Sequence, residues 1–290
     1  MATAYDQLPL AHRSPVVVVS ASRSGSTLLQ RVLNTHNKLT IWGEHFGLLG
    51  PLMQSLWLAQ RDEANLARGF ERHTNILTSD PAALADEANP HLNPFDAAGY
   101  QDFLATSIVE LFAGGIPDDV RWGFKEIRYR KSELIQMERL FPELRVIVLA
   151  RRPADQISSM LRAPWRPYHD SNDPGQRAQM EAKVAKMASN WHTQYASLHE
   201  YASISPGRVL RIGYGDLNTD RMDLDALFGH LGIEPPPRAA VEQVLAKKVG
   251  SSDRSKRWND ADKELVYQLI TEYEWPEGHD EIIASFGSSI

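Results

Sequence analysis

The stretch PVVVVSASRSGSTLLQRVLNTHN, residues 15–37, decides the fold. Val16 to Val19 are an unbroken β-branched run of strand length, too continuous for a strand with one wet face. It predicts a central strand of a parallel sheet covered on both sides. A turn of small polar residues, Ala21 to Ser26, follows. Leu28, Leu29, Val32 and Leu33 then recur at helical spacing, which predicts a helix from Ser26 or Thr27 to about Asn37.

Outward from that unit, the same alternation continues. Leu39 to Glu44 suits a short second strand and Arg121 to Ile127 another. Arg145 to Ala150 is a second apolar core strand, and Val209 to Ile212 a further one. Helices are expected over much of residues 47–117, then at Lys131–Phe141, after Pro153, and from Arg177 to Tyr201. Pro142 sits where the first of those three should stop, and Pro153 suits the first turn of the next. Prolines make loops of Asn89–Pro94 and of Ala163–Gly175. Strands alternating with helices imply a P-loop-like, doubly wound α/β fold with a parallel sheet. No internal repeat or low-complexity linker interrupts it, so one domain is expected over residues 1–290. Residues 1–14 form an N-terminal extension, and residues 47–117 a helical insert that suits a lid.

Composition narrows the function. The chain has 290 residues and a formal net charge of −6, which argues against a nucleic-acid partner. It contains no cysteine, so thiolate nucleophiles, cysteine zinc sites and disulfides are excluded together. The absence fits a reducing cytoplasm. Met1 to Arg13 lacks the basic and apolar regions of a signal peptide. The most apolar stretch, Leu48–Ala59, is broken by Gly50, Pro51, Gln54 and Ser55 and is too short for a membrane span of ~20 residues. A soluble cytoplasmic protein is the expectation; oligomeric state is not legible.

Two anion sites emerge at strand ends, where open α/β sheets bind ligands. In the turn after Ser20, Gly25 lets the backbone approach a ligand and the following helix start offers amide donors. Ser24, Ser26 and Thr27 add hydroxyls, and Arg23 a fixed charge. Read alone, the turn also suits a plain connection with Ser26 as N-cap. The Walker pattern with its lysine is absent. Arg151 and Arg152 end the strand Arg145–Ala150, and guanidinium forks match phosphate oxygens. Taken alone, such a pair also suits a solvated strand end. Two sites on one sheet edge fit a donor with a phosphosulfate at one end of a ribose and a phosphate at the other.

On these residues the chain resembles the PAPS-dependent sulfotransferase family. VVSASRSGSTLLQRVLNTH, residues 18–36, resembles its 5′-phosphosulfate loop; RVIVLARRPADQISSML, residues 145–161, resembles its 3′-phosphate motif, with Arg151 and Ser159 at the expected spacing. Trp42-Gly43-Glu44 resembles the step that supplies the catalytic base in the tyrosylprotein and bacterial glycan-type branches. Trp122 to Glu126 resembles their lysine-bearing strand. Tyr214-Gly215-Asp216-Leu217 resembles the tyrosine motif that approaches adenine. Ser22 replaces a usual proline, Arg152 a common aspartate and Gly215 a glutamate.

The resemblance implies PAPS as donor substrate, PAP as product, and no metal. Glu44 would take the acceptor proton, a role best served where burial raises its pKa toward neutrality. His45 is the rival base. Arg23 would stabilise the bridging oxygen and Lys125 the sulfuryl oxygens. Arg254, Lys256 and Arg257, with Ser251 or Ser252, lie on a late polar loop that in this family closes over the nucleotide; Trp258 suits adenine stacking or packing. Without the resemblance, Glu44 reads as a surface or helix-capping glutamate, and Lys125 equally as a strand-edge lysine.

The acceptor is expected to be a small molecule or glycoside in a bacterium. A carbohydrate, a lipid or a peptide tyrosine stays open. Trp57, Phe95, Tyr100, Trp165 and Tyr168 suit an apolar acceptor pocket or plain core packing. Alternatives are a P-loop kinase or phosphotransferase, which lacks its lysine here, and a non-catalytic nucleotide-binding protein of the same fold. The ten histidines show no metal-ligand spacing, and His36 on the first helix reads as structural.

Overall fold

The computed structural model describes residues 3–78, 92–163, 170–217, 222–247, 258 and 260–287. Its elements, in chain order, begin with α1 (Leu10–Arg13), β1 (Val16–Ser20), α2 (Ser26–Leu33) and β2 (Leu39–Trp42). Three helices follow: α3 (Gly50–Arg61), α4 (Glu63–Thr78) and α5 (Ala97–Ala113). Next come β3 (Arg121–Glu126), α6 (Lys131–Leu140), β4 (Arg145–Ala150), α7 (Pro153–Leu161) and α8 (Pro174–Ile204). The described chain ends with β5 (Val209–Gly213), α9 (Tyr214–Leu217), α10 (Leu224–His230), α11 (Arg238–Ala246), α12 (Asp260–Thr271) and α13 (His279–Ala284).

The five strands are parallel and ordered β2-β3-β1-β4-β5. The α/β expectation therefore holds, with the Val16–Val19 run in the middle and every residue of β1 buried. Successive side chains of a strand alternate between faces, and the core divides accordingly. Val17, Val19, Phe124 and Val148 pack with α5, α6 and α8 on one face; Val16, Val18, Ile147 and Leu149 pack with α2 and α10 on the other. Gly123 lets β3 lie tight against β1, because a Cβ there would stand 2.2 Å from the Val16 carbonyl oxygen.

Connections leave β1 toward β2 and β4 toward β5, on opposite sides of the sheet. The crevice between the ends of β1 and β4 is thus the topological switch point, where ligands bind in such sheets.

Several boundaries differ from the sequence expectation, three of them for a visible reason. Helix α2 stops at Leu33 rather than Asn37, because Asn34 turns its amide to the edge strand. Its Nδ2 donates to the Ile41 carbonyl at 3.0 Å and its Oδ1 accepts from the Ile41 amide at 2.7 Å. Strand β2 ends at Trp42, which leaves Glu44 in a turn. Helix α8 starts at Pro174, inside the expected loop, because Asp173 caps it by accepting from the Gln176 amide at 2.8 Å, with proline at the first helical position. Among the described residues no helix is long and apolar enough to cross a membrane.

Candidate active site

The turn after β1 is built on two left-handed residues, Arg23 at φ 67° and Gly25 at φ 99°. A bulkier residue than glycine pays for that conformation, and Gly25 has a second constraint. A Cβ on it would stand 2.5 Å from the ring of Tyr214. Tyr214, at the end of β5, is therefore pressed onto the turn after β1. Arg151, at the end of β4, lies over the same ring, its Cζ 4.4 Å from the centroid. Its Nη1 also donates to the Arg23 carbonyl at 3.4 Å. Ser159, on α7, accepts from Arg23 Nε at 3.3 Å. Residues from three strand ends, separated by up to 191 positions in sequence, thus meet in one crevice. Ser24 and Ser26 are buried in the turn and Thr27 is exposed at the start of α2.

Helix α8 holds the strand ends in place, a role the sequence reading missed. Tyr195 donates its hydroxyl to the Leu149 carbonyl at 2.9 Å and accepts from the Ala21 amide at 3.2 Å, tying β4 to the turn after β1. Gln194 donates to the carbonyls of Ser20 and Ile127, both at 2.9 Å, and Trp191 to that of Arg151 at 3.2 Å. The signal in the sequence is three hydrogen-bonding side chains at helical spacing inside an otherwise apolar stripe, at 191, 194 and 195.

A second cluster lies at the ends of β2 and β3. Glu44 receives Lys125 Nζ at 2.6 Å on one carboxylate oxygen and Arg128 Nη1 at 3.2 Å on the other. Burial pushes the Glu44 carboxyl up, but Lys125 and Arg128 outweigh it and hold the group below the usual carboxylate range. The rise toward neutrality that best serves a base is absent, because the two cations outweigh the effect of burial. Glu126, fully buried, binds Arg128 Nη1 at 2.7 Å. His45 is packed edge-on against Phe124, with ring centroids 4.6 Å apart, and burial lowers its pKa. Its Nε2 lies 3.3 Å from the Tyr129 hydroxyl, so the imidazole belongs to the aromatic core, whereas the Glu44 side chain keeps 24% of its surface exposed.

The two clusters are adjacent. Lys125 is in register with Val18, two residues before Ser20 on the neighbouring strand. A cavity of about 380 Å³ is walled by Ala21 and Ser22 from the first turn, by Arg128 from the second cluster, and by Met160 and Trp191. Arg130 also walls a larger groove of about 840 Å³ between α3 and α6, where Trp57 is half-exposed. Tyr100 stacks on Phe95, with centroids 5.2 Å apart, and shares a hydrogen bond with Ser55. Trp258 is buried among Ile157, Met180 and Val266, which makes it a packing anchor. His36 accepts from the Lys38 amide and packs against Phe228. Arg254, Lys256, Arg257, Ser251, Ser252, Trp165 and Tyr168 lie outside the described residues.

The profile described as "Sulfotransferase family" matches residues 15–237. Among solved structures, the sulfotransferase domain of the Synechococcus PCC 7002 olefin synthase is 20% identical with a TM-score of 0.50; 96% of this chain and 95% of that one align. The sulfotransferase domain from the curacin biosynthetic pathway is 20% identical with a TM-score of 0.49, over 94% and 96% of the two chains. A mouse sulfotransferase, SULT7A1, solved in complex with PAP, is 13% identical with a TM-score of 0.47, over 90% and 84%. The first likeness bears on the fold. No curated protein matches the chain.

Proposed function

The chain belongs to the sulfotransferase family, and from that premise we propose that it transfers a sulfuryl group from PAPS to an acceptor hydroxyl, with Glu44 as general base. What supports the donor assignment most is the meeting of Arg23, Gly25, Arg151, Ser159 and Tyr214 in the crevice between β1 and β4. Arg151 Nε is buried with no hydrogen-bond partner among the described residues, so the guanidinium retains a donor for an anion. In this reading Arg151 and Ser159 hold the 3′-phosphate, and Tyr214 adjoins the adenine. The turn from Arg23 to Thr27 holds the 5′-phosphosulfate. Arg254, Lys256 and Arg257 are proposed to close over the nucleotide.

Sulfuryl transfer needs in-line geometry, stabilised oxygens and somewhere for the acceptor proton to go. The acceptor oxygen forms its bond to sulfur, and the bond from sulfur to the bridging oxygen breaks with its electron pair leaving on PAP. The acceptor proton passes to Glu44. An ammonium carries three N–H donors; Lys125 gives one to Glu44 and has others for the sulfuryl oxygens. Arg23 stabilises the charge that develops on the bridging oxygen. A carboxylate held below its usual range is a modest base, which suits a proton lost late, as the attacking hydroxyl becomes acidic. The 380 Å³ cavity beside Arg128 is the proposed acceptor entrance. Residues 47–117, whose helix α3 walls the neighbouring 840 Å³ groove, are the proposed acceptor-site lid within one domain, and a small molecule or glycoside is the proposed acceptor.

The test is thermal unfolding with PAP, against ADP plus Mg²⁺ at equal concentration, followed by transfer from sulfur-labelled PAPS to a panel of hydroxyl compounds. A ligand at 100 times its dissociation constant stabilises the fold by about 2.7 kcal/mol. The expected result is a raised midpoint with PAP and none with ADP plus Mg²⁺. No shift with PAP sinks the donor assignment.

A further inference from the structure

Glu126 is fully buried at the end of β3, and its two carboxylate oxygens reach two different supports of Glu44. One of its oxygens, Oε1, accepts from the Ile127 amide at 2.9 Å, the Arg128 amide at 3.2 Å and Arg128 Nη1 at 2.7 Å. The other, Oε2, accepts from the Gly47 amide at 2.9 Å and stands 3.7 Å from His45 Nδ1. The first set fixes Arg128, whose Nη1 also reaches Glu44 Oε2. The second fixes the turn that carries Glu44.

That turn is under strain. Phe46 and Gly47 are consecutive left-handed residues, at φ 59° and 75°. For a bulky aromatic such a backbone persists only where the surroundings over-determine it. The Phe46 side chain supplies little restraint of its own, being 79% exposed with the Arg128 guanidinium over its ring. The Gly47 amide held by a buried carboxylate supplies the restraint instead.

We propose that Glu126 is a positioning residue for Glu44: it pins both the strained turn after Glu44 and the arginine that, with Lys125, engages the two Glu44 oxygens. Neighbouring side chains on β3 point to opposite faces, so Lys125 acts on Glu44 directly and Glu126 acts through Arg128. The arrangement leaves Glu44 one orientation, with each carboxylate oxygen held by a different cation. Its catalytic meaning rests on Glu44 being the base; the positioning itself does not.

The experiment follows Glu44 without needing an acceptor. Protein labelled with ¹³C at glutamate carboxyls is titrated by NMR, with the Glu44 signal assigned by its loss in Glu44→Gln. In the native chain Glu44 is expected to titrate below the ordinary glutamate range. Arg128→Gln is expected to move that midpoint upward and Arg128→Lys to restore most of the shift. Glu126→Gln removes a neighbouring negative charge, which alone would lower the midpoint, so the upward move expected there can come only from Arg128 leaving Glu44. PAP binding, read by calorimetry, is retained in all three. An unmoved Glu44 midpoint in folded Glu126→Gln overturns the proposal, since it leaves that residue a scaffold and nothing more. If Glu126→Gln does not fold, the half-exposed Arg128→Gln decides, and an unmoved midpoint there overturns it equally. Absence of PAP binding in the native chain is a separate result, and refutes the donor assignment without touching this one.

Discussion

Arg151 and Arg128 both stand just beyond the ends of parallel strands, two strands apart, and they keep opposite company. Arg151 meets a backbone carbonyl and an aromatic ring, and its Nε is buried with no partner among the described residues. Arg128 lies between two carboxylates, at 2.7 and 3.2 Å. A buried charge is costly unless something pairs with it. The Arg151 side of the sheet therefore suits an anion brought from outside, whereas the Arg128 side already contains its counter-charges. On the proposed reading, one half of the crevice binds the donor and the other manages the proton.

The largest effect that can break this division is on turnover. Glu44→Gln is expected to lower the PAPS-dependent rate about 10²–10⁴-fold, the usual worth of a general base, while calorimetry shows PAP affinity intact. Near-normal turnover would make the paired side structural.

The next effect belongs to the other half. Arg151→Ala removes hydrogen bonds to a charged ligand, each worth about 1.5–3 kcal/mol, and so should weaken PAP by roughly 10–150-fold. Arg128→Gln should not. Equal losses from the two substitutions would erase the distinction between the arginines. A smaller effect probes how the donor half is packed. Gly25→Ala places a Cβ 2.5 Å from the Tyr214 ring in a backbone with φ 99°. Overpacking of this kind costs about 1–3 kcal/mol, so the melting midpoint should fall and PAP binding weaken together. A variant with an unchanged midpoint would show that Tyr214 is not fixed against the turn.

The halves also differ in how far the sequence disclosed them. On the donor side, Arg23, Gly25 and Arg151 are marked by local signals, a glycine in a polar turn and an arginine closing an apolar run, while Ser159 and Tyr214 rest on the resemblance. Strand position was legible for the same reason, since a continuous β-branched run has few places to go but the middle of a sheet. On the other side, Glu44 and Lys125 were visible only through resemblance, and Arg128 and Glu126 not at all. Their roles come from tertiary pairing: Glu126 meets Gly47, 79 positions away, and no periodicity foretells that contact. The same holds for α8, whose Gln194 reaches a strand end 174 positions away. Helix α2 was overextended because propensity could not show Asn34 acting as a substitute strand for Ile41.

The smallest expected effect separates the two halves by acidity. A guanidinium keeps its charge in acid, so a fall in pH separates the halves through Glu44. Lys125 and Arg128 lower the folded pKa of Glu44 beneath its ordinary value of 4.5 against the opposing pull of burial. A depressed carboxylate contributes stability that is present above the unfolded pKa and is lost as pH falls through the folded one. Protonated glutamate has nearly the shape and polarity of glutamine. The melting midpoints of the native chain and Glu44→Gln should therefore differ most at pH 7 and converge below about pH 4.5. A gap that stays constant to pH 3 would mean that the two cations recognise the side chain's shape and not its charge, and the contrast between the arginines would lose its physical basis.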